Sequence, residues 1–454
     1  MKCPDAVRIA LCVTVFSWLV IAPAAPAAGE ETHGKTPTRI TIDDDGFVRV
    51  NGQRRYIYGA YRDPSDSITG FAGLKQARFD MTHEYFFEKN LGGDVDDWIS
   101  CARIYLRGAE AHGIGVALGL PRNVVESDGD VEIARTLVEA VKEEPALWLW
   151  YLSDEPGRRD EPETVAANLH QVYTMIKKVD PNHPVVICGT RPEFFVVNNA
   201  DNADILWPNT YPVPDGPWAW AMSEPSAYAG RWPDKSIWGV SQAFDWRINE
   251  RRNVITDQTH RPNAKEIRAQ VHANIAAGAR STVFYWSPKR TELSHYDIRK
   301  LPSIWGAVCD IGDELKVLEP VLLAPEPAEE MRASVSWERT VKEAGRTHDE
   351  VYNWQRRHND SIYVGIVNAG HERRMKVTVE LPFAFERVMQ YPSGLTVIAP
   401  SPEDELTIDS FQHELIPVQF LAAEDNSTKT LEFFMYECDA VVWRFIPVQE
   451  EGGS

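Results

Sequence analysis

The chain has 454 residues, enough for a large core and two domains, and its 67 acidic against 47 basic side chains give a formal charge of −20. A surface this acidic repels phosphate backbones, which excludes nucleic acid as a partner and favours neutral ligands. There is no His-Glu-x-x-His, EF-type acid ladder, phosphate loop, Gly-x-Ser-x-Gly elbow or strand-following Gly-x-Gly-x-x-Gly, so no metal, nucleotide or other cofactor is expected.

Residues 1–28 read as a signal peptide. Lys2 and Arg8 precede the apolar run Ile9–Ile21, and Ala22-Pro-Ala-Ala-Pro-Ala-Ala28 offers small residues for cleavage near Ala27 or Ala28. The run is short for a bilayer span and no later stretch approaches that length, so a secreted or periplasmic product without a membrane span is expected. An uncleaved N-terminal anchor is the alternative. Cys101, Cys188, Cys309 and Cys438 remain after cleavage, with no C-x-x-C pair, so neither a zinc site nor a disulfide framework is signalled.

Two turn signals, Asp44-Asp-Gly46 and Asn51-Gly52, punctuate the β-rich segment Arg39–Tyr58 and predict a short N-terminal hairpin. Eight apolar runs follow: Tyr56–Tyr61, Phe79–Phe87, Gly113–Leu120, Leu147–Glu155, Pro184–Gly189, Asp204–Tyr211, Ser236–Phe244 and Ser281–Trp286. Helical spacing between them predicts helices over Asp97–His112, Val131–Glu143, Glu163–Val179 and Glu266–Ala277, while Arg191–Ala203 is too short and polar for one. Strands alternating with helices over this length predict a (β/α)8 barrel across residues 38–324, with a doubly wound open sheet as the alternative. Past the Pro- and Glu-rich stretch Glu319–Glu330 the helical spacing disappears. Short strands at Asp360–Val367, Met375–Glu380, Leu415–Phe420 and Val441–Ile446 predict a β-sandwich over residues 325–450.

In a parallel barrel the C-terminal strand ends carry the chemistry. Here they are polar and aromatic, as a carbohydrate site requires: Tyr61-Arg62-Asp63, His83-Glu84-Tyr85, Asp154-Glu155, Trp207-Pro-Asn209-Thr-Tyr211, Gln242 to Trp246, and Tyr285-Trp286. The fourth run, Leu147-Trp-Leu-Trp-Tyr-Leu-Ser-Asp-Glu-Pro156, is a buried strand that Pro156 stops just after two adjacent carboxylates.

These residues resemble the secreted glycoside hydrolases of the large clan with (β/α)8 barrels, whose fourth strand ends in Asn-Glu-Pro or a similar triplet. The resemblance covers most of residues 38–320 and rests on Tyr58-Gly-Ala-Tyr61, Ser153-Asp-Glu-Pro156, Lys178-Val-Asp-Pro-Asn-His-Pro184, Asn209-Thr-Tyr-Pro212 and Gly278-Ala-Arg-Ser281. It implies Glu155 as proton donor, Asn209 and Tyr211 as subsite contacts and Trp286 as the platform under a sugar ring. Two residues depart from the clan pattern: Gln242 stands where the clan has its nucleophilic Glu, and Asp154 precedes the acid/base where the clan favours Asn. An adjacent Asp-Glu pair is similar to that of the substrate-assisted N-acetylhexosaminidases, and on that resemblance Asp154 orients a 2-acetamido group while Glu155 is the acid/base.

Further readings stay open at this stage. A second carboxylate, Asp245, Asp63 or Glu84, gives an ordinary glycosidase, with about 5–5.5 Å between carboxyls for retention and about 6.5–9.5 Å for inversion. A glycan-binding protein without activity fits Gln242. Asp154 and Glu155 also suit a helix N-terminus, and strict alternation turns Asp154 away from the site unless the strand bulges. Trp218 and Trp220 read as loop faces for sugar, His83 as a hydroxyl contact or a buried structural histidine, and Arg62 as a partner for an acidic group or for Asp63.

Overall fold

The computed structural model describes residues 36–61, 67–84, 94–126, 130–190, 199–213, 218–244, 262–285, 302–339, 351–369, 375–391, 396–398, 405–409, 415–422, 428–436 and 438–448. The expected signal peptide, residues 1–28, lies outside them.

Strands β1 (Ile40–Ile42), β2 (Val48–Val50) and β3 (Gln53–Arg55) form a three-stranded antiparallel sheet, one strand more than the expected hairpin. Asn51 and Gly52 both take positive φ, at 51° and 82°, which gives the two-residue β2–β3 turn the twist that its flanking strands need. The next eight strands are β4 (Tyr58–Tyr61), β5 (Met81–Glu84), β6 (Gly115–Gly119), β7 (Leu147–Asp154), β8 (Val185–Gly189), β9 (Ile205–Pro208), β10 (Ser236–Gln242) and β11 (Ser281–Tyr285). They pair in chain order, all parallel, and β11 closes on β4, so the sheet is a closed barrel and not an open doubly wound one.

The small sheet sits at the N-terminal end of the barrel. Ile40 N–H donates to Asn182 O ahead of β8, Thr38 Oγ1 to Pro145 O ahead of β7, and Arg280 Nε to Asp45 O ahead of β11. Ile40 and Val48 join the interior cluster of Tyr61, Leu149, Tyr151, Trp207, Trp238 and Val240, so the base of the barrel is filled and any site belongs at the other end.

Helices α1 (Ser67–Gln76), α2 (Val95–Ala111), the short α3 (Arg122–Val125), α4 (Val131–Val141) and α5 (Pro162–Val179) surround the first half. Asp94 and Asp130 cap the N-termini of α2 and α4 with side-chain hydrogen bonds, supplying acceptors to N–H groups that have none inside the helix. Between β8 and β9 the described residues include the 3-10 turn Ala200–Asn202; residues 191–198 of the segment read as too short and polar for a helix lie outside the described residues. Helix α6 (Trp218–Arg231) was not legible as one, because Pro225 inside it removes a backbone donor and breaks the expected pattern. Helices α7 (Ala264–Ala276) and α8 (Pro302–Leu322) complete the layer. Helix α8 runs through Glu319, into the stretch that composition marked as a boundary. There Glu319 Oε1 accepts from Arg55 Nε at 2.7 Å and Tyr56 N at 3.0 Å, so the end of α8 is tied to the end of β3 and the link that leads into β4.

Ten strands follow in two antiparallel sheets of five. The first holds β12 (Ser334–Arg339), β15 (Met375–Glu380), β18 (Glu405–Asp409), β19 (Leu415–Ala422) and β20 (Thr428–Met435). The second holds β13 (Val351–His358), β14 (Ser361–Asn368), β16 (Phe385–Tyr391), β17 (Thr396–Ile398) and β21 (Ala440–Pro447). Their shared core includes Ile362, Val364, Val377, Leu431, Phe433, Trp443 and Phe445. Every residue of β14 is buried, which explains its unbroken apolar run: one face looks into the sandwich and the other joins the barrel's helix layer, where Trp354, Tyr363 and Val442 belong to the main core.

This junction accounts for a helix that is polar in sequence yet buried in the fold. On α7, His272 Nε2 lies 2.9 Å from Glu314 Oε1, Arg268 Nε and Nη2 grip Glu314 with contacts of 2.6 and 2.7 Å, and the third Arg268 nitrogen donates to Ala440 O on β21. Trp354 Nε1 approaches His272 Nδ1 at 3.4 Å; indole can only donate, so Nδ1 accepts and the Nε2 proton goes to Glu314. Burial would raise the Glu314 carboxyl, but Arg268 and His272 overcome it and hold Glu314 well below the usual carboxylate range. Burial also outweighs the pull of Glu314 on His272 and depresses the imidazole.

Candidate active site

Strand β7 decides the geometry. Its interior residues, Leu149 and Tyr151, alternate with Trp150 and Leu152, which pack on the helix layer. Continued alternation would turn Asp154 outward. The pairing with β8 instead slips between Tyr151, opposite Val186, and Ser153, opposite Ile187, so one extra residue is accommodated and the phase reverses. Ser153 then faces outward, with Oγ 2.5 Å from Glu126 Oε1, while Asp154 Oδ1 accepts from the interior Tyr61 hydroxyl at 3.0 Å. Since Tyr61 gives its proton to Asp154, Tyr151, whose hydroxyl is 2.5 Å from that of Tyr61, must donate to Tyr61.

Glu155 ends the strand in the left-handed region, φ 51° and ψ 51°, a conformation that residues with a Cβ rarely adopt. Pro156 starts the 3-10 turn Pro156–Arg158 directly after it, so the pair caps no full helix. Glu155 Oε1 accepts from Asn209 Nδ2 at 3.2 Å and Oε2 from Arg158 at 2.9 Å. Burial first, then the charge of Asp154, raise the Glu155 carboxyl above its usual value, while Asn209 and Arg158 oppose the rise. A buried acid with a raised pKa beside a second carboxylate keeps its proton to higher pH than a free glutamate, which suits a group that hands a proton to a substrate.

Arg158 is 59% exposed, and its bond to Glu155 favours the carboxylate form. Arg158→Ala is expected to move the ionisation midpoint of Glu155, followed by carbon-13 carboxyl NMR, to higher pH, since the acid then stays protonated longer. A midpoint that does not move would show that Arg158 has no hold on Glu155 in solution.

Around the pair stands an aromatic wall. Tyr211 stacks on Tyr285 at 5.6 Å, Phe244 meets both edge-on, and Tyr61 lies 5.2 Å from Tyr285 and from Trp207. Burial above all pushes the Tyr211 hydroxyl well above its usual value, and Asp154 and Glu155 add to the shift, so it remains a neutral donor. Asn209 is nearly buried, pairs with Val240 in an isolated bridge, and its Oδ1 has no hydrogen-bond partner among the described residues. Tyr61, Phe244 and Tyr285 fell within the strand ends named from sequence without being given a role, and Tyr151 was not singled out. Their position on or just beyond barrel strands was the available signal.

Other candidates settle differently. His83 is fully buried, its ring 4.0 Å from Tyr151 and 4.9 Å from Tyr61, which makes it part of the floor and not a surface contact. Gln242 does not face a substrate: it is fully buried, its Oε1 accepts from Val213 N at 3.0 Å, and its Nε2 donates to Val213 O at 2.7 Å and Phe244 O at 3.1 Å. Both amide hydrogens are taken by carbonyls, so a carboxylate here would meet two acceptors with nothing to donate. The clan's nucleophile position is thus a structural clamp. Trp218 and Trp220 stand in the first turn of α6 and not in a loop, and their side chains lie outside the described part of the structure. Arg62, Asp63, Asp245 and Trp286 also lie outside the described residues. Lys178–Pro184, read as part of the resemblance, has a packing role: Asp180 accepts from Trp150 Nε1 at 2.7 Å and contacts His183 Nδ1 at 2.8 Å, pinning β7 from outside the barrel. Among the described residues no group of His, Cys, Asp and Glu is placed to hold a metal ion, and no helix is long and apolar enough to cross a membrane.

No protein-family model matches the chain, and no curated protein matches it by sequence. Solved structures do align with it. A β-galactosidase from the Antarctic haloarchaeon Halorubrum lacusprofundi aligns at 13% identity and TM-score 0.46, over 58% of this chain and 59% of that one. A β-galactosidase from the psychrophilic Marinomonas ef1 aligns at 12% and 0.45, over 58% and 60%. A β-glucuronidase from Bifidobacterium dentium aligns at 11% and 0.44, over 61% and 49%. The aligned region thus spans about half to three fifths of those chains, and at such values the likeness adds nothing to the chemistry read from the residues.

Proposed function

We propose that this chain is a glycoside hydrolase in which Glu155 is the general acid/base and Asp154 orients the 2-acetamido group of the substrate. The observation that carries the reading is the bulge in β7, which brings two consecutive carboxylates to one site. The clamped Gln242 supports it, since the position from which a protein nucleophile would attack holds an amide with both hydrogens engaged. In this mechanism Glu155 protonates the glycosidic oxygen as the bond to the anomeric carbon breaks. The substrate's own acetamido oxygen closes on that carbon, and Asp154 accepts the amide N–H and balances the positive charge of the cyclic intermediate. Glu155 then takes a proton from the water that opens the ring. Tyr61, donating to the other side of Asp154, holds the carboxylate in place.

The aromatic wall of Tyr211, Tyr285 and Phe244 offers flat apolar faces to a sugar ring, and the formal charge of −20 suits a neutral glycan. With its N-terminal Lys2, Arg8 and apolar run, the chain is proposed to act outside the cytoplasm; N-terminal sequencing of the exported protein tests this.

Matched aryl β-glycosides carrying either a 2-acetamido or a 2-hydroxyl group test the mechanism. The 2-acetamido set is expected to be cleaved, and Asp154→Asn to lose about 10²- to 10³-fold in kcat on it. Cleavage confined to the 2-hydroxyl set would instead point to a second carboxylate, and no cleavage of any glycoside to a binding protein.

A further inference from the structure

We propose that Arg159 and Glu126 are positioning residues for Glu155: their ion pair, linked to β7 through Ser153, locks the left-handed turn that aims the acid into the site. The proposal rests on the glycosidase reading for its kinetic consequences, but its geometry stands apart from it.

The turn needs holding because Glu155, with a long side chain, sits at φ 51° and ψ 51°, where a Cβ crowds the backbone. The ladder supplies one restraint, Glu155 N–H to Cys188 O at 2.9 Å, and the 3-10 turn a second, Arg158 N–H to Glu155 O at 3.0 Å. The first holds the peptide between Asp154 and Glu155 by its N–H and leaves its carbonyl side. Arg159 takes that side by donating from Nη2 to the Asp154 carbonyl at 2.8 Å, while Nε and Nη2 reach the Glu126 oxygens at 2.7 and 2.9 Å. One planar guanidinium therefore holds three acceptors at once, a geometry an ammonium cannot reproduce.

Glu126 is itself anchored. It is nearly buried at the end of α3, its carbonyl accepts from Asn168 of α5 at 3.2 Å, and its Oε1 lies 2.5 Å from Ser153 Oγ. The network thus touches Ser153 through its side chain and Asp154 through its carbonyl, the two residues that lie between the register slip and Glu155. Glu126 pairs with Arg159, and Arg122 Nε comes within 3.9 Å of the same carboxylate, so the clamp grips the backbone from within a shared ion-pair network. Arg158 has the opposite arrangement, since it contacts the Glu155 carboxylate directly.

The test uses the full mature chain with Arg159→Lys, Arg159→Gln, Glu126→Gln and Ser153→Ala. Both Arg159 variants are expected to keep an unfolding temperature close to the parent's and to lose about 10- to 100-fold in kcat on an aryl 2-acetamido glycoside, with KM within about threefold. In parallel, carbon-13 carboxyl NMR follows the titration of Glu155, whose midpoint is expected to move in both variants. Folded Arg159 variants with kcat within about twofold of the parent and an unmoved Glu155 midpoint would overturn the proposal. If the parent cleaves no glycoside, the functional reading fails, and the NMR midpoint alone decides the positioning role: moved, it stands; unmoved, it falls. If the Arg159 variants do not fold, Ser153→Ala, which removes a single hydrogen bond, carries the same two measurements and criteria.

Discussion

Glu155→Gln is expected to lower kcat by about 10²- to 10⁴-fold, the span associated with loss of a positioned proton donor. The substitution keeps the shape of the side chain and its contact with Asn209 Nδ2, so folding should be preserved and the loss should be chemical. The deficit should also depend on the leaving group. Aryl glycosides whose phenols leave as stable anions need little protonation and should retain much of their rate, whereas unactivated glycans should lose nearly all of it. The parent rate should fall at alkaline pH as the raised Glu155 carboxyl ionises, and this limb should disappear in the variant. A uniform loss across leaving groups, or undiminished activity, would remove Glu155 from the proton-donor role.

The second large effect lies far from the chemistry, at the joint of barrel and sandwich. Glu314→Gln leaves the buried Arg268 guanidinium without its counter-charge, and the expected cost is about 3–5 kcal/mol. Replacing both partners, Arg268→Met with Glu314→Leu, should recover much of that loss, because an apolar pair leaves no charge stranded. The pH dependence follows from the same group of residues. Buried His272 takes up a proton at lower pH than an unfolded imidazole, whose ordinary pKa is about 6.5, so stability is full above that value and falls as pH drops through it. Glu314, also depressed, adds a loss of the same sign at lower pH, beginning as pH falls through the ordinary carboxyl range where the unfolded chain takes up the proton. Denaturant unfolding at pH 7.5 and pH 5 measures both effects. A Glu314→Gln midpoint within error of the parent's would mean that the joint does not limit stability.

Much of the barrel was legible because each strand is buried on both faces and so reads as an apolar run that ends abruptly at polar residues. The fourth run announced its carboxylates in this way. Helix α6 escaped because Pro225 interrupts it, and α7 hid its burial because its polar residues are satisfied by groups distant in sequence, Gln270 by the backbone of Gln242 and Asn274 by Ser241 Oγ. Gly239 shows the same dependence: a Cβ there would come within 2.3 Å of the Asn274 side chain, a constraint that no local pattern contains.

The sequence by itself determined the alternation of strands and helices, the carboxylates at the tip of the fourth strand and the aromatic residues beyond the sixth, while closure of the sheet came from the pairing of β11 with β4. The first three follow from hydrophobic period and chain order, which are local properties. Tertiary structure alone decided which way the tip residues face. A bulge arises from the register between β7 and β8, and it turned Asp154 inward against strict alternation. The approach of Val213 to Gln242 likewise made a clamp of a residue that the pattern had aimed at the substrate. Both outcomes depend on backbone hydrogen bonds between segments far apart in the chain, whose partners are fixed only once the barrel has closed.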